Sequence, residues 1–198
     1  MTQLVPAAWP AEGARLLEPS ISYALGAVLA VTPELLSRPT PCRGWDLRML
    51  LQHSCESLAA IGEGIEAGRV GLDPAAEDGV LAADPAGAFR DRARQLLDAW
   101  TGPGHQRQVV EIAGCPLAAS VMSAAAALEV AVHGWDISRA CGQRQPIPRA
   151  LATSLLAIAP VLVPRDGRHP LFAAPVTVPA TAGPSDQLAA FLGRAPLE

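Results

Sequence analysis

Lysine is absent from this chain: all 15 basic residues are arginine. With no amine on any side chain, lysine Schiff-base chemistry and lysine general-base chemistry are excluded. Aromatic residues are nearly as scarce, at three Phe, four Trp and one Tyr in 198 residues. A single tyrosine, Tyr23, leaves little room for tyrosine-based acid catalysis. Few rings beside abundant alanine and leucine suit helices packed closely together. The four cysteines, Cys42, Cys55, Cys115 and Cys141, are scattered and form no CxxC pair. That argues against a dithiol redox motif and against a cysteine-rich zinc finger. A basic surplus is missing as well. The net charge of -4 gives no electrostatic footprint for nucleic acid. No basic segment precedes an apolar one at the start of the chain, so no signal peptide is expected, and a cytoplasmic protein with reduced thiols is. The longest apolar stretch, 116–132, is broken by Ser120, Ser123 and Glu129. It is too short and too alanine-rich for a membrane span and reads as a buried helix.

What is present describes an ordinary globular protein. Half the residues are hydrophobic and 17% are charged, and a chain of this length buries roughly 70% of its unfolded surface without disulfides or a structural metal. Apolar spacing predicts helices over 12–32, from Asp46 to about Ala67, and over 85–100, 116–141 and 149–161, with a short last one over 185–192. Asp46 is the expected N-cap of the second helix. Residues 38–41 hold two prolines that forbid regular helix, 68–84 read as a loop, and Gly102-Pro103-Gly104 stops the third helix. Residues 108–112 read as a strand or an extended connector. The expected architecture is all-α: an up-and-down four-helix bundle with extra helices and an irregular C-terminal segment. Residues 1–163 form the bundle, and 164–198 form an extension packed on the same domain.

Four histidines are few enough to weigh singly. His133 follows Glu129 at i+4 on the fourth helix, which puts both side chains on one face, one turn apart. They end an apolar run, where an ionised glutamate needs a cation or a partner. His53 lies on the second helix. If the two helices face each other, two histidines and one glutamate form a three-ligand zinc set with a fourth position open to water or substrate. The alternative is a buried hydrogen-bonded Glu129–His133 pair without an ion. Nickel, cobalt, manganese and iron suit the same donors.

Thr40-Pro41-Cys42-Arg43-Gly44-Trp45-Asp46, followed by Leu50-Leu51-Gln52-His53, resembles the N-terminal signature of the mycothiol-dependent maleylpyruvate isomerase family. Glu129-Val130-Ala131-Val132-His133-Gly134-Trp135-Asp136 resembles its second signature. The ending, Phe172-Ala173-Ala174-Pro175-Val176-Thr177-Val178-Pro179 with Gln187-Leu188 and Leu192-Gly193-Arg194, is similar to the tail of a small metal-binding branch of that family. The resemblance implies a DinB-like bundle whose metal ligands are His53, Glu129 and His133. It also implies a divalent metal, zinc first, and a low-molecular-weight thiol such as mycothiol as co-substrate. The activity implied is transfer of that thiol to a small electrophile, or cis-trans isomerisation assisted by it. A thiol-independent metal hydrolase or lyase, with Glu56 as base, and a non-catalytic protein binding metal and a small molecule are the alternatives. No nucleic-acid or membrane partner is expected, and the chain reads as a monomer or homodimer.

Other residues carry weaker expectations. Cys55 sits two positions from His53, about 200° around the helix and away from the ligand face. Cys42 reads as packing, or as a spare ligand beside an ion. Trp45 and Trp135 wall the ligand helices. Asp136 either orients an imidazole or pairs with Arg139. His105 and His169 read as exposed, and Arg43 and Arg48 as mostly solvated.

Overall fold

The fold was obtained as a computed structural model, which describes residues 9–71, 83–101, 108–164, 166, 168 and 172–196, with side chains from residue 15 onward. The helices are α1 (Trp9–Val28), α2 (Leu47–Ala67), α3 (Pro85–Thr101), α4 (Ala119–Ala140), α5 (Arg149–Leu162) and α6 (Pro184–Phe191). A 3-10 turn spans Pro33–Leu35. Three short strands are β1 (Arg69–Val70), β2 (Val109–Ile112) and β3 (Cys115–Ala118). The first four helices make the bundle. α1 lies along α4, α2 packs on α3 and α4, and contact between α1 and α3 closes the ring. α5 leans on α1 and α4, and α6 packs on α5. The architecture is all-α and DinB-like with a minor sheet. No helix among the described residues is long and apolar enough to cross a membrane.

Local chemistry accounts for the helices that matter to the site. Asp46 caps α2, its carboxylate accepting the Met49 amide at 2.8 Å. The stripe Leu47, Leu50, Leu51, Leu58, Ile61 and Ile65 is buried. α4 is buried almost all round, which is why its sequence is apolar on every face. Its small residues let neighbours come close. A Cβ on Gly134 would sit 2.9 Å from Ala24 Cα and 3.2 Å from a Tyr23 ring carbon, so the missing side chain sets the α1–α4 approach.

Two boundaries differ from the sequence expectation. α1 ends at Val28, and its last turns tighten into Ala30 N to Ala27 O (3.3 Å) and Val31 N to Val28 O (3.1 Å) bonds ahead of Pro33. The fourth helix begins at Ala119 because 115–118 pair with β2 as a hairpin, Ile112 facing Cys115 and Val109 facing Ala118. The two turn residues, Ala113 (φ 50°) and Gly114 (φ 79°), are both left-handed, as a type I′ turn requires. Val110 is the buried residue of this hairpin, and pairing with β2 outweighs the helical propensity of the half-buried Leu117 and exposed Ala118. β1 adds a parallel edge, Arg69 opposite Glu111. The Gly-Pro-Gly helix stop, most of the 68–84 loop, His105 and His169 lie outside the described residues.

Candidate metal centre

The segment ahead of α2 is fastened by its one residue with a free amide and hydroxyl between two prolines. The Thr40 amide donates to Trp45 O at 3.0 Å, and its hydroxyl accepts the Cys42 amide at 3.1 Å. The Trp45 amide donates back to Cys42 O at 3.0 Å. This tight loop fixes Cys42 and Trp45 beside α4. The Trp45 indole meets the His53 ring edge-on at 4.9 Å and lies nearly parallel to the His133 ring at 6.5 Å.

The three residues singled out from sequence are brought together. One oxygen of Glu129, Oε1, is 2.9 Å from His53 Nε2 and 3.1 Å from His133 Nε2. The two imidazoles stand almost perpendicular, 88° apart, with centroids 5.2 Å apart. Ser57, one turn beyond His53 on α2, adds a hydroxyl 3.4 Å from the same oxygen. The His133 side chain is 10% exposed, against 37% for His53 and 33% for Glu129, so the cluster has a closed back and an open front. Burial works to raise the Glu129 carboxyl, but hydrogen bonds from His133 and His53 outweigh it and hold the group far below the usual carboxylate range. Burial would lower His133. Its hydrogen bonds with Asp136, Cys42 and Glu129 instead lift it well above an ordinary histidine.

Behind His133 lies a second cluster. His133 Nδ1 is 3.0 Å from Asp136 Oδ2, and the Cys42 thiol donates to that oxygen at 3.1 Å. Asp136 has no solvent exposure. Arg194 grips it side-on through one edge of the guanidinium, Nη2 to Oδ2 at 2.8 Å and Nε to Oδ1 at 3.3 Å. Arg194 Nη2 also stands 3.4 Å from Cys42 Sγ. Burial favours a neutral Asp136, yet the charge of Arg194 and the hydrogen bonds from His133 and Arg194 bring its carboxyl down to about 2.

Two donor triads therefore share His133: His53, Glu129 and His133, and Cys42, His133 and Asp136, each with its ligand atoms within 4.8 Å of one another. They differ in charge. The second already holds a guanidinium against its carboxylate and its sulfur, so an added cation would meet like charge there. The first offers an ionised carboxylate whose Oε1 is hydrogen-bonded to the two imidazoles and the Ser57 hydroxyl. Donors about 2.1 Å from a tetrahedral zinc stand about 3.4 Å apart, so the 2.9 and 3.1 Å separations of Glu129 from the two imidazole nitrogens would each lengthen by a few tenths of an ångström around an ion. A surface cleft of about 590 Å³ over α1 is lined by Glu18, Tyr23 and Gln145 and contains none of these donors. The donors lie instead where His53 and Glu129 are each about one-third exposed.

Arg194, which the sequence offers only as part of the tail motif and with no role of its own, joins the site in the fold. It follows α6, which ends in a Schellman turn: Gly193 N to Ala190 O at 3.0 Å and Arg194 N to Ala189 O at 2.9 Å. Gly193 has φ 85°, and a Cβ there would collide with Ala173. Arg194 lies 58 positions beyond Asp136, and no periodicity links the two. Ser57 had a signal, the i+4 step from His53. Asp136 turns to His133 and Arg194 and not to Arg139, which stacks over the Trp135 ring at 4.7 Å and donates to Pro196 O at 2.9 Å. Cys55 stays apart from the donors, half-buried, its thiol pushed up to about 11 by burial. Glu56 is exposed and bonded to Gln52.

Two uncharacterized proteins of Mycobacterium tuberculosis, MT0763 of strain CDC 1551 / Oshkosh and Rv0738 of strain ATCC 25618 / H37Rv, are each 33% identical over 178 residues, 86% of this chain and 92% of theirs. No solved structure matches. The family model of the mycothiol maleylpyruvate isomerase N-terminal domain matches residues 17–138, a span that includes α2, the three clustered donors and Asp136. With both motifs on the two helices that build the centre, the chain belongs to the mycothiol maleylpyruvate isomerase N-terminal domain family.

Proposed function

We propose that the protein is a metal-dependent enzyme that joins a low-molecular-weight thiol of the mycothiol kind to a small electrophile, or uses that thiol to isomerise an activated double bond. The observation that carries it is the convergence of His53 Nε2, Glu129 Oε1 and His133 Nε2 on one half-open point, within a family named for mycothiol and isomerisation. These three residues would hold a divalent ion, with zinc the best match to two imidazoles and a carboxylate. Once bound, the ion supplies a Lewis acid that lowers the pKa of a thiol or water brought to it.

The protein's own contributions follow from the contacts. With an ion bound, Asp136 would accept from His133 Nδ1 and so leave the lone pair of Nε2 free to face the ion. The hydroxyl of Ser57 donates toward Glu129 and helps fix the carboxylate. Trp45 packs on His53 and covers one flank, while the exposed edges of His53 and Glu129 leave a way in for a small thiol and its partner. In the reaction a carbon–sulfur bond forms at the electrophilic carbon, and the thiol proton ends on the adjacent carbon. Keeping the adduct is transfer, and rotating it, returning the proton to sulfur and expelling the thiol is isomerisation. With an alkylating electrophile the leaving group departs with the bonding pair as the carbon–sulfur bond forms, and the thiol proton goes to solvent.

The test has two stages. Elemental analysis should find about one equivalent of metal in the parent and almost none in a His53→Ala, Glu129→Ala, His133→Ala variant. The loaded parent is then assayed against an activated cis-alkene and a panel of alkylating electrophiles, with and without mycothiol. Thiol-dependent turnover supports the reading. Turnover of ester or amide substrates without thiol would replace it with a hydrolase, and tight binding without product would replace it with a binding protein.

A further inference from the structure

We propose that Arg194 is a positioning residue of the metal centre, acting through Asp136 on His133, so that docking of the C-terminal tail and occupancy of the ion are linked. The inference rests on the metal reading above. It concerns a residue outside the matched 17–138 span.

The contacts run without a break from the tail to the donor set. Arg194 meets Asp136 at 2.8 and 3.3 Å, Asp136 meets His133 Nδ1 at 3.0 Å, and His133 Nε2 meets Glu129 at 3.1 Å. Each member is packed: Asp136 is 0% exposed, His133 8% and Arg194 9%. Arg194 is held on its other side too, where Nη1 donates to Leu192 O at 3.0 Å and the Schellman turn fixes its amide. A planar fork fastened at both ends sets the plane of the carboxylate it grips. That carboxylate then sets the imidazole. Asp136 Oδ2 also receives the Cys42 thiol, so without the guanidinium this fully buried carboxylate would keep only the His133 imidazole and that thiol as partners. It would have to turn or admit water, and His133 would lose its fixed ring orientation. Outer partners of this type change metal affinity by about 10- to 100-fold. Linkage is reciprocal, so the ion must hold the tail down as strongly as the tail improves the ion's site.

Arg139 supplies the control. It also anchors the tail, through Pro196 O, but it stacks on Trp135 while Asp136 is bonded to His133, Cys42 and Arg194. The experiment measures zinc affinity by chelator competition in the full-length parent, Arg194→Met, Arg194→Lys and Arg139→Met. In parallel, amide exchange of the tail is followed with and without zinc. Arg194→Met is expected to bind zinc about 10- to 100-fold more weakly, Arg194→Lys to fall between, and Arg139→Met to stay within about twofold of the parent. Zinc should slow exchange over 189–196 in the parent and not in Arg194→Met. Parental affinity in a folded Arg194→Met overturns the proposal, as does an equal loss in Arg139→Met, which would reduce the tail to a scaffold. If Arg194→Met does not fold, the parent still decides: tail exchange unchanged by bound zinc overturns it. A parent that binds no metal overturns both this proposal and the function above, whereas a metal-binding parent with indifferent arginine variants overturns this one alone.

Discussion

Asp136 is the residue whose surroundings are most one-sided. Its carboxylate lies wholly inside the protein, yet an arginine, an imidazole and a thiol all point at it. Its carboxyl is held at about 2, against 3.8 for a free aspartate. On acidification the unfolded chain therefore takes up this proton first. The group contributes stability that is complete above about pH 4 and is lost as the pH falls through 2, an effect on the order of 2 kcal/mol. Urea unfolding of the metal-free protein at steps from pH 5 to pH 2.5 should reveal that loss. In Asp136→Asn the protein starts out less stable but should lose correspondingly less over the same interval. An identical acid slope in both would mean that other carboxylates dominate acid unfolding. At this scale the sequence carried much of the site. Glu129 and His133 are one helical turn apart, and that spacing by itself puts them on one face. Asp136 was ambiguous because His133 and Arg139 are both three positions away, and only the fold shows which of them it faces.

Among the elements, α4 shows how the absence of a side chain can position a site. Gly134, next to His133, lies where α1 crosses, and any Cβ there meets backbone at 2.9 Å. Replacing it by alanine gains roughly 1 kcal/mol of helix propensity. Against that stands an overpacking cost of about 1–3 kcal/mol, with a helix axis as the obstacle. Gly134→Ala should therefore be destabilising, by about 1 kcal/mol, and should displace α1 from α4. Gly62 in α2 is the counter-case, since a Cβ there meets nothing within 4 Å. Gly62→Ala should stabilise by roughly 0.5–1 kcal/mol. Chemical denaturation of the two single variants checks both signs, and a stabilising Gly134→Ala would show that α1 yields easily. The helices themselves were readable because each has an apolar stripe long enough to average out its exceptions. The hairpin was less so. Val109–Ile112 was ambiguous, and 115–118 carried helix-forming leucine and alanine whose preference gave way to pairing with β2.

For the molecule as a whole, the centre is a long-range contact. His53 and Glu129 are 76 positions apart and belong to separate helices of the ring. Sequence spacing supplied the ligand types on each helix, but only the packing of α2 on α4 brings them face to face, and the arrival of Arg194 depends on how α6 ends. An ion held at this junction ties α2 to α4, so it should stabilise the entire cooperative unit and not only the residues around it. Binding to the folded state alone adds about 2.7 kcal/mol when free metal is 100 times its dissociation constant. For a domain near 200 residues each kcal/mol raises Tm by about 2–4 °C, so the expected rise is about 5–11 °C. Calorimetry with and without zinc should show that rise in the parent as one sharpened transition, and none in the variant lacking His53, Glu129 and His133. Two separated transitions on adding zinc would mean that the helices around the centre melt apart from the rest of the bundle. A bound metal with no shift at all would mean that the unfolded chain holds the ion equally well, and the centre would then contribute nothing to keeping α2 against α4.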